Sequence, residues 1–287
     1  MDINIAEGID IYLVNRALQN DRDYSHFHPS AWDKCHRRIA YQWYRAHNLL
    51  KIDSSTISIK PALQRTFDVG HYAHYRFGAY LAAYAPKGFM GRWKCLNQLA
   101  HSKEDKIYGV DSIYGCTRPK VCECGFANFQ YEEIGFHDEE TGFGGHVDAV
   151  LDLKYWPLNK NTTEKLADED RYCVVDYKTI HPFAFKGLTC PKPEHQTQMQ
   201  VYFYLSGLKY GKFLYEDKAD QTIKEFLVVR DEQTIAVKTE EAIKLKYTLE
   251  HTNSAGKRVL PPRGYDSRGS TECLGCEFRE HCWKGIA

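Results

Sequence analysis

A short segment rich in β-forming residues carries two opposite charges among apolar neighbours, and this restricts what the chain can fold into. The segment is Tyr172–Thr179, with the sequence YCVVDYKT. Asp176 and Lys178 are two residues apart, so their side chains project from the same face of a strand. The surrounding valine, cysteine and tyrosine residues indicate a largely buried strand, where unpaired charges are costly. The segment therefore predicts either a salt bridge or a site that binds a charged ligand.

A second predicted strand supplies another carboxylate. Residues 145–156 alternate apolar and polar side chains, and Asp148 lies off the apolar face. If the two strands are neighbours, Asp148, Asp176 and Lys178 form an oxygen-rich pocket that suits Mg²⁺ or Mn²⁺. A metal ion there can hold a phosphate oxygen and lower the pKa of a bound water, while Lys178 orients that water. A plain surface salt bridge between Asp176 and Lys178 stays open as the alternative.

Motifs in four parts of the chain, taken together, resemble the RecB-like branch of the PD-(D/E)XK nucleases. They are Gly70–His74, Asp148, Asp176–Lys178 and Gln198–Tyr202. This branch includes exonucleases associated with CRISPR adaptation and many phage recombination exonucleases. The resemblance covers most of the chain outside residues 88–127. It implies a metal-dependent DNA exonuclease that hydrolyses phosphodiester bonds at DNA ends or in single strands, for recombination, repair or phage DNA metabolism.

The resemblance also implies which residues bind the metal and which are catalytic. The implied metal ligands are His74, Asp148, Asp176 and the backbone carbonyl of Tyr177. The implied catalytic residues on the strands are Asp148, Asp176 and Lys178. An imidazole ligand such as His74 suits Mn²⁺ better than Mg²⁺. Asp176 departs from many relatives, which carry the longer glutamate at that position.

The helical motifs have competitors of the same residue types. Gln198 and Tyr202, also implied as catalytic, are four residues apart on one predicted helix face and would support the site or contact DNA. Gln200 and Tyr204 have the same spacing, so the residues alone leave the register open. In the same way, His71 lies three residues before His74 and could replace it as the ligand.

The ten cysteines indicate metal binding rather than disulfides in a chain with no sign of secretion. Cys273, Cys276 and Cys282 crowd together, and a closed four-cysteine site needs one further thiolate. Cys35 is the candidate. The RecB-like branch has one early cysteine and a late C-x2-C-x5-C motif, so the resemblance implies a [4Fe-4S] cluster that joins residue 35 to residues 273–282. A zinc site with the same four ligands is the chemical alternative.

A second group of cysteines lies in an irregular stretch, residues 88–127. Four thiolates can bind tetrahedral Zn²⁺ and hold together a segment with little core of its own. We predict such a zinc knuckle, although the motif here is C-x-C and His101 could stand in for one ligand. The predicted ligands are Cys95, Cys116, Cys122 and Cys124. The two remaining cysteines, Cys173 and Cys190, are interpreted as ordinary small residues.

The balance of charge limits how the chain can contact DNA. Lysine and arginine number 38 and so do aspartate and glutamate, whereas a protein that coats duplex DNA by charge alone is usually basic. DNA contact therefore needs a local groove. The helix after Cys35 is a candidate, because arginines contact phosphates and tyrosines stack on bases. The predicted contacts are Arg37, Arg38, Tyr41 and Arg45, with a solvated basic face as the alternative.

These patterns predict an α/β fold with a PD-(D/E)XK, restriction-endonuclease-like core, in which helices flank a central mixed sheet. Helices are predicted over residues 6–19, 31–47, 61–84, 195–210 and 231–251, and strands over 129–136, 145–156, 172–179, 211–216 and 225–230. Four regions result: an N-terminal helical region with Cys35 and His74 (1–87), the cysteine-rich insertion (88–127), the nuclease core (128–260) and the cluster segment that packs back on Cys35 (261–287).

The remaining expectations concern location and partners. The sequence has no apolar run of about 18 residues and no secretory signal, so we expect a cytoplasmic protein, in the host cytoplasm if it is encoded by a phage. DNA is the expected partner, together with a recombination protein. Two other classes stay open. One is a non-cleaving iron–sulfur DNA-binding subunit with a nuclease-like fold, and the other is an electron carrier that uses the cluster.

Overall fold

The computed structural model describes residues 4–18, 23–50, 60–112, 115–156, 167 and 170–284. The α-helices in these residues are α1 (Ile5–Leu18), α2 (His36–Ala46), α3 (Pro61–Tyr84), α4 (Pro182–Lys186), α5 (Pro193–Ser206), α6 (Glu232–Glu250), α7 (Thr271–Leu274) and α8 (Arg279–Cys282). The strands are β1 (Phe89–Met90), β2 (Arg92–Cys95), β3 (Ile107–Tyr108), β4 (Phe129–Glu132), β5 (Ile134–His137), β6 (Gly144–Val147), β7 (Ala149–Asp152), β8 (Tyr172–Ile180), β9 (Tyr210–Asp217) and β10 (Ile223–Val229).

A five-stranded mixed sheet lies at the centre, in the order β1-β7-β8-β9-β10. Strands β8 and β9 run parallel, and the other neighbours are antiparallel. Alternate residues of β8 face opposite layers: Val174 packs in the core that includes α5, whereas Val175 and Tyr177 pack in the core that includes α3. The predicted α/β architecture, a central mixed sheet flanked by helices, is therefore confirmed.

Two strands predicted as continuous are interrupted in the structure. The stretch 129–136 breaks at Glu133 into β4 and β5, and the stretch 145–156 breaks at Asp148 into β6 and β7. At each break the chain leaves one sheet and enters another, since β4 pairs with β2, β5 pairs with β6, and β7 pairs with β8. The prediction of unbroken strands was wrong because side-chain alternation does not report which neighbour a strand will pair with. Both interruptions fall on acidic residues.

The cysteine-rich stretch contains strands that the sequence pattern did not predict. Phe89–Met90 forms an edge of the central sheet against β7. Arg92–Cys95 pairs with both β3 and β4 in a separate three-stranded sheet. These strands are two to four residues long, too short to show a period. The irregular insertion of the prediction is thus partly a small sheet.

The remaining helices close the sides of the sheet. Helix α5 ends at Ser206, because Gly207 adopts a left-handed conformation with φ of 73°. The helix therefore ends earlier than predicted, since the prediction extended to residue 210. Residues 181–193, predicted as a loop, contain α4. Helices α2, α5 and α6 share one core with Trp32, Trp43, Val201 and Leu245. Among the described helices, none combines the length and the apolar character that a membrane crossing needs.

Candidate active site

Asp148 occupies the junction between β6 and β7, and its carboxylate is anchored to the next strand. Its Oδ2 accepts a hydrogen bond of 2.6 Å from the backbone amide of Tyr177. Its own backbone carbonyl accepts one of 3.1 Å from the Tyr131 hydroxyl. Because Asp148 lies between two strands, its carboxylate is oriented by the Tyr177 amide rather than by the regular alternation of a strand. Asp148 and the D-x-K strand are therefore directly connected.

Helix α3 brings His74 to Asp148. The His74 Nδ1 lies 3.2 Å from Asp148 Oδ1. The same face of α3 carries Phe77, which stacks on the ring of Tyr177 at 4.5 Å between centroids. Arg76 pairs with Glu216 on β9 at 2.6 Å, and Glu216 also accepts a hydrogen bond from the Tyr177 hydroxyl. This packing fixes the helix on the sheet and selects His74, since the competing His71 lies outside the group of donor atoms formed with Asp148.

Glu133 completes this group and was not predicted. One ligand atom each of His74, Glu133 and Asp148 lies within 4.8 Å of the other two. The Glu133 Oε1 is 3.8 Å from His74 Nδ1. In the sequence the residue type does not distinguish Glu133 from its neighbour Glu132. Glu133 lies at the break between β4 and β5, where its side chain comes close to His74. An acidic residue at a break in alternation was the one available signal.

Asp176 and Lys178 form the second half of the site on β8. The two side chains make an ion pair, and Asp176 Oδ2 also accepts a hydrogen bond of 2.9 Å from Gln198 on α5. The Gln198 amide lies 3.1 Å from the Tyr202 hydroxyl, which donates to the carbonyl of His146 at 2.7 Å. Helix α5 therefore holds the Asp176 carboxylate in place through the side chain of Gln198. Asp176 does not join the group of three donor atoms around His74, and ligation by the Tyr177 carbonyl stays a prediction.

The structure distinguishes the two glutamine–tyrosine pairs of α5. Gln198 and Tyr202 face Asp176, as described. Gln200 instead donates to the carbonyl of Val229 at 2.9 Å and accepts from the amide of Asp231 at 2.8 Å. It therefore ties the end of β10 to α5, away from the strand pair that carries the acids.

The electrostatics of the site favour a bound cation. Burial alone would lower the pKa of His74, but hydrogen bonds to Asp148 and Glu133 raise it to about 10. Burial raises the pKa of Asp176 to about 7; repulsion from Asp148 adds to this rise, and Lys178 opposes it. The pKa of Lys178 is also raised, because its attraction to the two aspartates outweighs burial. Three carboxyl groups thus attract positive charge at this place, as a divalent metal ion would supply.

The side chains of the site differ in their exposure to solvent. The exposed fraction of the side chains rises from 1% for Asp176 through 13% for Asp148 and 30% for His74 to 40% for Glu133. A cavity of about 580 Å³ adjoins this exposed side. Its lining combines helix α3, the two acids and the small sheet, and includes Tyr75, Leu96, Arg118, Asn128 and Tyr131. A ligand would therefore enter past His74 and Glu133, and the Asp176 carboxylate is the most deeply buried of the three acids.

Three of the four predicted zinc ligands come together, and the fourth does not. Cys95, Cys122 and Cys124 lie with His101, and one ligand atom of each is within 4.8 Å of all the others. Cys116 pairs through its main chain with Gly91. Gly91 immediately precedes β2, whereas Cys95 is the last residue of that strand. The structure thus brings together three of the predicted cysteines and His101, the alternative ligand, and leaves Cys116 outside this group. The reason is this pairing, which holds Cys116 away from the other thiols.

The four cysteines of the predicted cluster also converge. Cys35, Cys273, Cys276 and Cys282 line one cavity of about 480 Å³ between the start of α2 and the C-terminal segment. The Cys35 sulfur accepts a hydrogen bond of 3.4 Å from the amide of Gly264. No three of these four sulfurs lie within 4.8 Å of one another. They surround a space larger than a single metal ion needs.

Helix α2 docks on this C-terminal segment with side chains that were predicted to contact DNA. Arg37, Arg38 and Tyr41 contact Pro261 (2.7 Å), Glu277 (2.8 Å) and Phe278 (5.3 Å between ring centroids), respectively. These three side chains therefore lie at a contact within the chain, and 34% of the Arg38 side chain stays exposed. Arg45 is exposed. DNA contact by this helix stays a prediction.

The chain is similar to solved structures at low sequence identity. No protein-family model matches the chain, and no curated protein matches it. The crystal structure of SSO0001 is similar with a TM-score of 0.45 at 16% identity, over 96% of this chain and 93% of that one. The alkaline exonuclease LHK-Exo in complex with dAMP is similar with a TM-score of 0.40 at 15% identity, over 79% and 89%.

A second structure of LHK-Exo, from Laribacter hongkongensis, has a TM-score of 0.30 at 22% identity, over 42% of this chain and 56% of that one. Likenesses of this kind are too weak to carry an assignment.

Proposed function

We propose that this chain is a metal-dependent DNA nuclease of the PD-(D/E)XK type, an exonuclease that hydrolyses phosphodiester bonds at DNA ends or in single strands. One observation carries the proposal. The clustered donor atoms of His74, Glu133 and Asp148 lie beside the Asp176–Lys178 pair, and the amide of Tyr177 connects the two halves. The sequence resemblance favours a role in recombination, repair or phage DNA metabolism.

His74 and Asp148 are the residues best placed to hold the metal, with Glu133 at the exposed side. Carboxylate oxygens with one imidazole suit Mn²⁺ or Mg²⁺. When bound, such an ion neutralises phosphate charge and makes a water molecule more acidic. Asp176 lies deeper, and we propose that one of its oxygens joins the ion when substrate is present. Its attachment to Gln198 keeps the carboxylate oriented for that contact.

Lys178 supplies a fixed positive charge next to the acids. Because its pKa is raised, the ammonium stays protonated at neutral pH and can stabilise charge that develops on a phosphate oxygen. Its distance from bulk solvent strengthens this effect, since only 21% of its side chain is exposed. The same ammonium pairs with Asp176 in the absence of DNA. We therefore assign it both positioning of the carboxylate and stabilisation of charge.

We further propose that Cys35, Cys273, Cys276 and Cys282 hold a [4Fe-4S] cluster. A single tetrahedral zinc ion brings its thiolates to about 3.8 Å from one another, given zinc–sulfur distances of about 2.3 Å. No three of these sulfurs lie that close together, which favours the larger cluster over one ion. The cluster would join α2 to the C-terminal segment, where Arg38 and Glu277 already form an ion pair. Its role would be structural.

A cleavage assay with a matched pair of lysine variants tests the nuclease proposal. The chain is purified without oxygen and given end-labelled single-stranded or duplex DNA with Mn²⁺, Mg²⁺ or EDTA. We expect cleavage with either ion, none with EDTA, and a loss of about 100-fold or more in Lys178→Ala. The control is Lys212→Ala, which removes an exposed lysine paired with Glu225 on the neighbouring strands. It should cleave like the parent.

DNA binding separates the two function classes that share this fold. The parent and Lys178→Ala are tested for binding to the same DNA with Ca²⁺ in place of the catalytic ion. A nuclease predicts that both bind and that only the parent cleaves when Mn²⁺ is added. Binding without cleavage by the parent under every metal condition would instead identify a non-cleaving DNA-binding subunit.

A further inference from the structure

A second group of ligands lies in the small sheet, apart from the proposed nuclease site. We propose that Cys95, His101, Cys122 and Cys124 bind one Zn²⁺ ion, which holds the small sheet and its loops in place as one wall of the active-site cavity. This inference does not depend on the proposed nuclease activity. Three thiols with one imidazole, and no carboxylate among them, form a donor set typical of structural zinc.

The distances fit a single tetrahedral ion. The sulfurs of Cys95 and Cys124 are 3.8 Å apart, and the Cys122 sulfur is 3.3 Å from His101 Nε2. Tetrahedral zinc with ordinary bond lengths requires separations of about 3.8 Å between two sulfurs and about 3.6 Å between sulfur and nitrogen. A disulfide between Cys95 and Cys124 would need about 2.05 Å, so the pair is not bonded in this way. The arrangement needs only small shifts to take an ion.

The local backbone positions the three cysteine donors. Cys95 is the last residue of β2 and is 3% exposed. Residues 122–126 form a tight turn in which Gly125 has φ of 81°, a conformation that favours glycine. The amide of Cys122 donates to the carbonyl of Phe126 at 2.7 Å, and the amide of Gly125 donates to the carbonyl of Cys122 at 2.8 Å. The C-x-C motif thus forms a knuckle that points both thiols inward.

Neighbouring side chains already orient the ligands, as surrounding groups do in metal sites. The Tyr108 hydroxyl donates to the Cys122 sulfur at 3.3 Å, and the Asn97 amide donates to the Cys124 sulfur at 3.7 Å. Asn97 also accepts, through its backbone carbonyl, a hydrogen bond of 3.2 Å from the amide of His101. One residue therefore links the turn that carries His101 to the knuckle that carries Cys124.

The strands of the small sheet are short, with two to four residues each. The ligand cysteines and several aromatic side chains connect this sheet to the core that includes α3 and the central sheet. A metal ion would add folding energy to such a segment. The residues next to the ligands matter for the active site. Leu96 follows Cys95, and its backbone amide donates a hydrogen bond of 3.1 Å to the carbonyl of Asn128. Leu96, Arg118 and Asn128 all line the cavity.

Metal analysis of the intact chain with cysteine variants tests the proposal. Zinc and iron are measured per chain for the parent, Cys124→Ser, Cys116→Ser and Cys276→Ser, all grown with both metals supplied. We expect one zinc per parent chain, loss of zinc but not iron in Cys124→Ser, and full zinc in Cys116→Ser. Cys276→Ser should also keep its zinc, because that thiol belongs to the C-terminal group.

Cobalt spectroscopy keeps the test decisive if Cys124→Ser does not fold. The parent is stripped of zinc and titrated with Co²⁺, whose visible and thiolate charge-transfer bands report tetrahedral ligation by sulfur and nitrogen. His101→Cys should still bind the ion and move these bands toward a four-sulfur spectrum. Zinc removal should also expose residues 96–128 to protease, and added zinc should restore protection.

Two outcomes would overturn the proposal. One is a parent chain that carries no zinc and gives no tetrahedral cobalt spectrum. The other is zinc that is lost with Cys116→Ser or Cys276→Ser as readily as with Cys124→Ser. In that case the ion belongs elsewhere.

Discussion

The backbone amide of Tyr177 donates a hydrogen bond of 2.6 Å to the Asp148 carboxylate. This bond joins the acid at the interruption between β6 and β7 to the middle of the strand that carries Asp176 and Lys178. It also orients the second carboxylate oxygen of Asp148 toward His74, at 3.2 Å. The geometry of the proposed metal site thus depends on one main-chain contact between neighbouring strands.

Replacement of Glu133 should weaken metal binding. In Glu133→Gln, the carboxylate that faces His74 at 3.8 Å loses its charge, so we expect the Mn²⁺ concentration for half-maximal cleavage to rise about tenfold or more. Glu132→Gln is the matched control, because Glu132 lies one residue earlier and pairs with Arg92 at 3.5 Å. Titration of the cleavage rate with Mn²⁺ measures both. Equal behaviour of the two variants would exclude Glu133 from the site.

The two buried glutamines of α5 should have separable effects. Gln198→Ala removes a hydrogen bond to Asp176, and we expect the cleavage rate to fall about 10- to 100-fold. Gln200→Ala removes hydrogen bonds to Val229 and Asp231, so the free energy of unfolding should fall by about 1–3 kcal/mol while the rate per folded molecule stays unchanged. Denaturant unfolding and cleavage kinetics measure the two effects. If Gln200→Ala slows cleavage and Gln198→Ala only lowers stability, the assignment of Gln198 to the site is wrong.

Loss of one C-terminal thiolate should remove the proposed iron–sulfur cluster. We expect Cys276→Ser to lose its iron and its visible absorption and to unfold at a lower temperature, because α2 is no longer joined to the C-terminal segment. Cys190→Ser, which changes an exposed thiol, is the control. Iron analysis and thermal unfolding under nitrogen measure the result. Iron that is retained in Cys276→Ser would contradict the assignment.

His195 should make the protein less stable in mild acid. Burial, followed by nearby lysines, lowers its pKa to about 3, and its Nδ1 lies 2.7 Å from the Tyr215 hydroxyl. Below its ordinary pKa of about 6.5, the unfolded chain binds a proton that the folded chain does not, which costs about 2 kcal/mol at about pH 5. His195→Gln should reduce by that amount the stability lost between about pH 7.5 and pH 5.

Denaturant unfolding of the parent and of His195→Gln at both pH values checks this prediction. The comparison uses only the change between the two pH values, so a constant effect of the substitution cancels. Identical losses of stability in the parent and the variant would show that His195 takes up its proton in the folded state.

Local patterns were enough to predict the centre of the site. Two-residue spacing correctly placed Asp176 and Lys178 on one face of a buried strand, and residues 172–179 correspond to β8 within one residue. Such predictions succeed because they depend on alternation along a single element. Most of the central sheet was also predictable, since β8, β9 and β10 have seven to nine residues each, whereas β1 has two and was not predicted.

Features that depend on pairing between distant segments were not predictable. Glu133 resembles its neighbour Glu132 until β4 and β5 enter different sheets. His101 lies with Cys95, Cys122 and Cys124, whereas Cys116 pairs with Gly91, and spacing alone does not reveal this arrangement. In the same way, the positions of the basic residues on α2 do not reveal that Arg37 and Arg38 contact the C-terminal segment. In each case the sequence showed the type of residue, but it did not show which segment that residue contacts in the fold.

The most direct test of the metal-dependent nuclease is the rate of nucleotide release from end-labelled DNA as Mn²⁺ is added to the EDTA-treated chain. For the parent we expect no release without metal and a rate that rises to saturation as Mn²⁺ is added. Asp148→Asn, which can still accept the hydrogen bond from Tyr177, should show no rise at the Mn²⁺ concentrations that saturate the parent. Release in EDTA, or the same Mn²⁺ dependence in Asp148→Asn as in the parent, would contradict the proposed function.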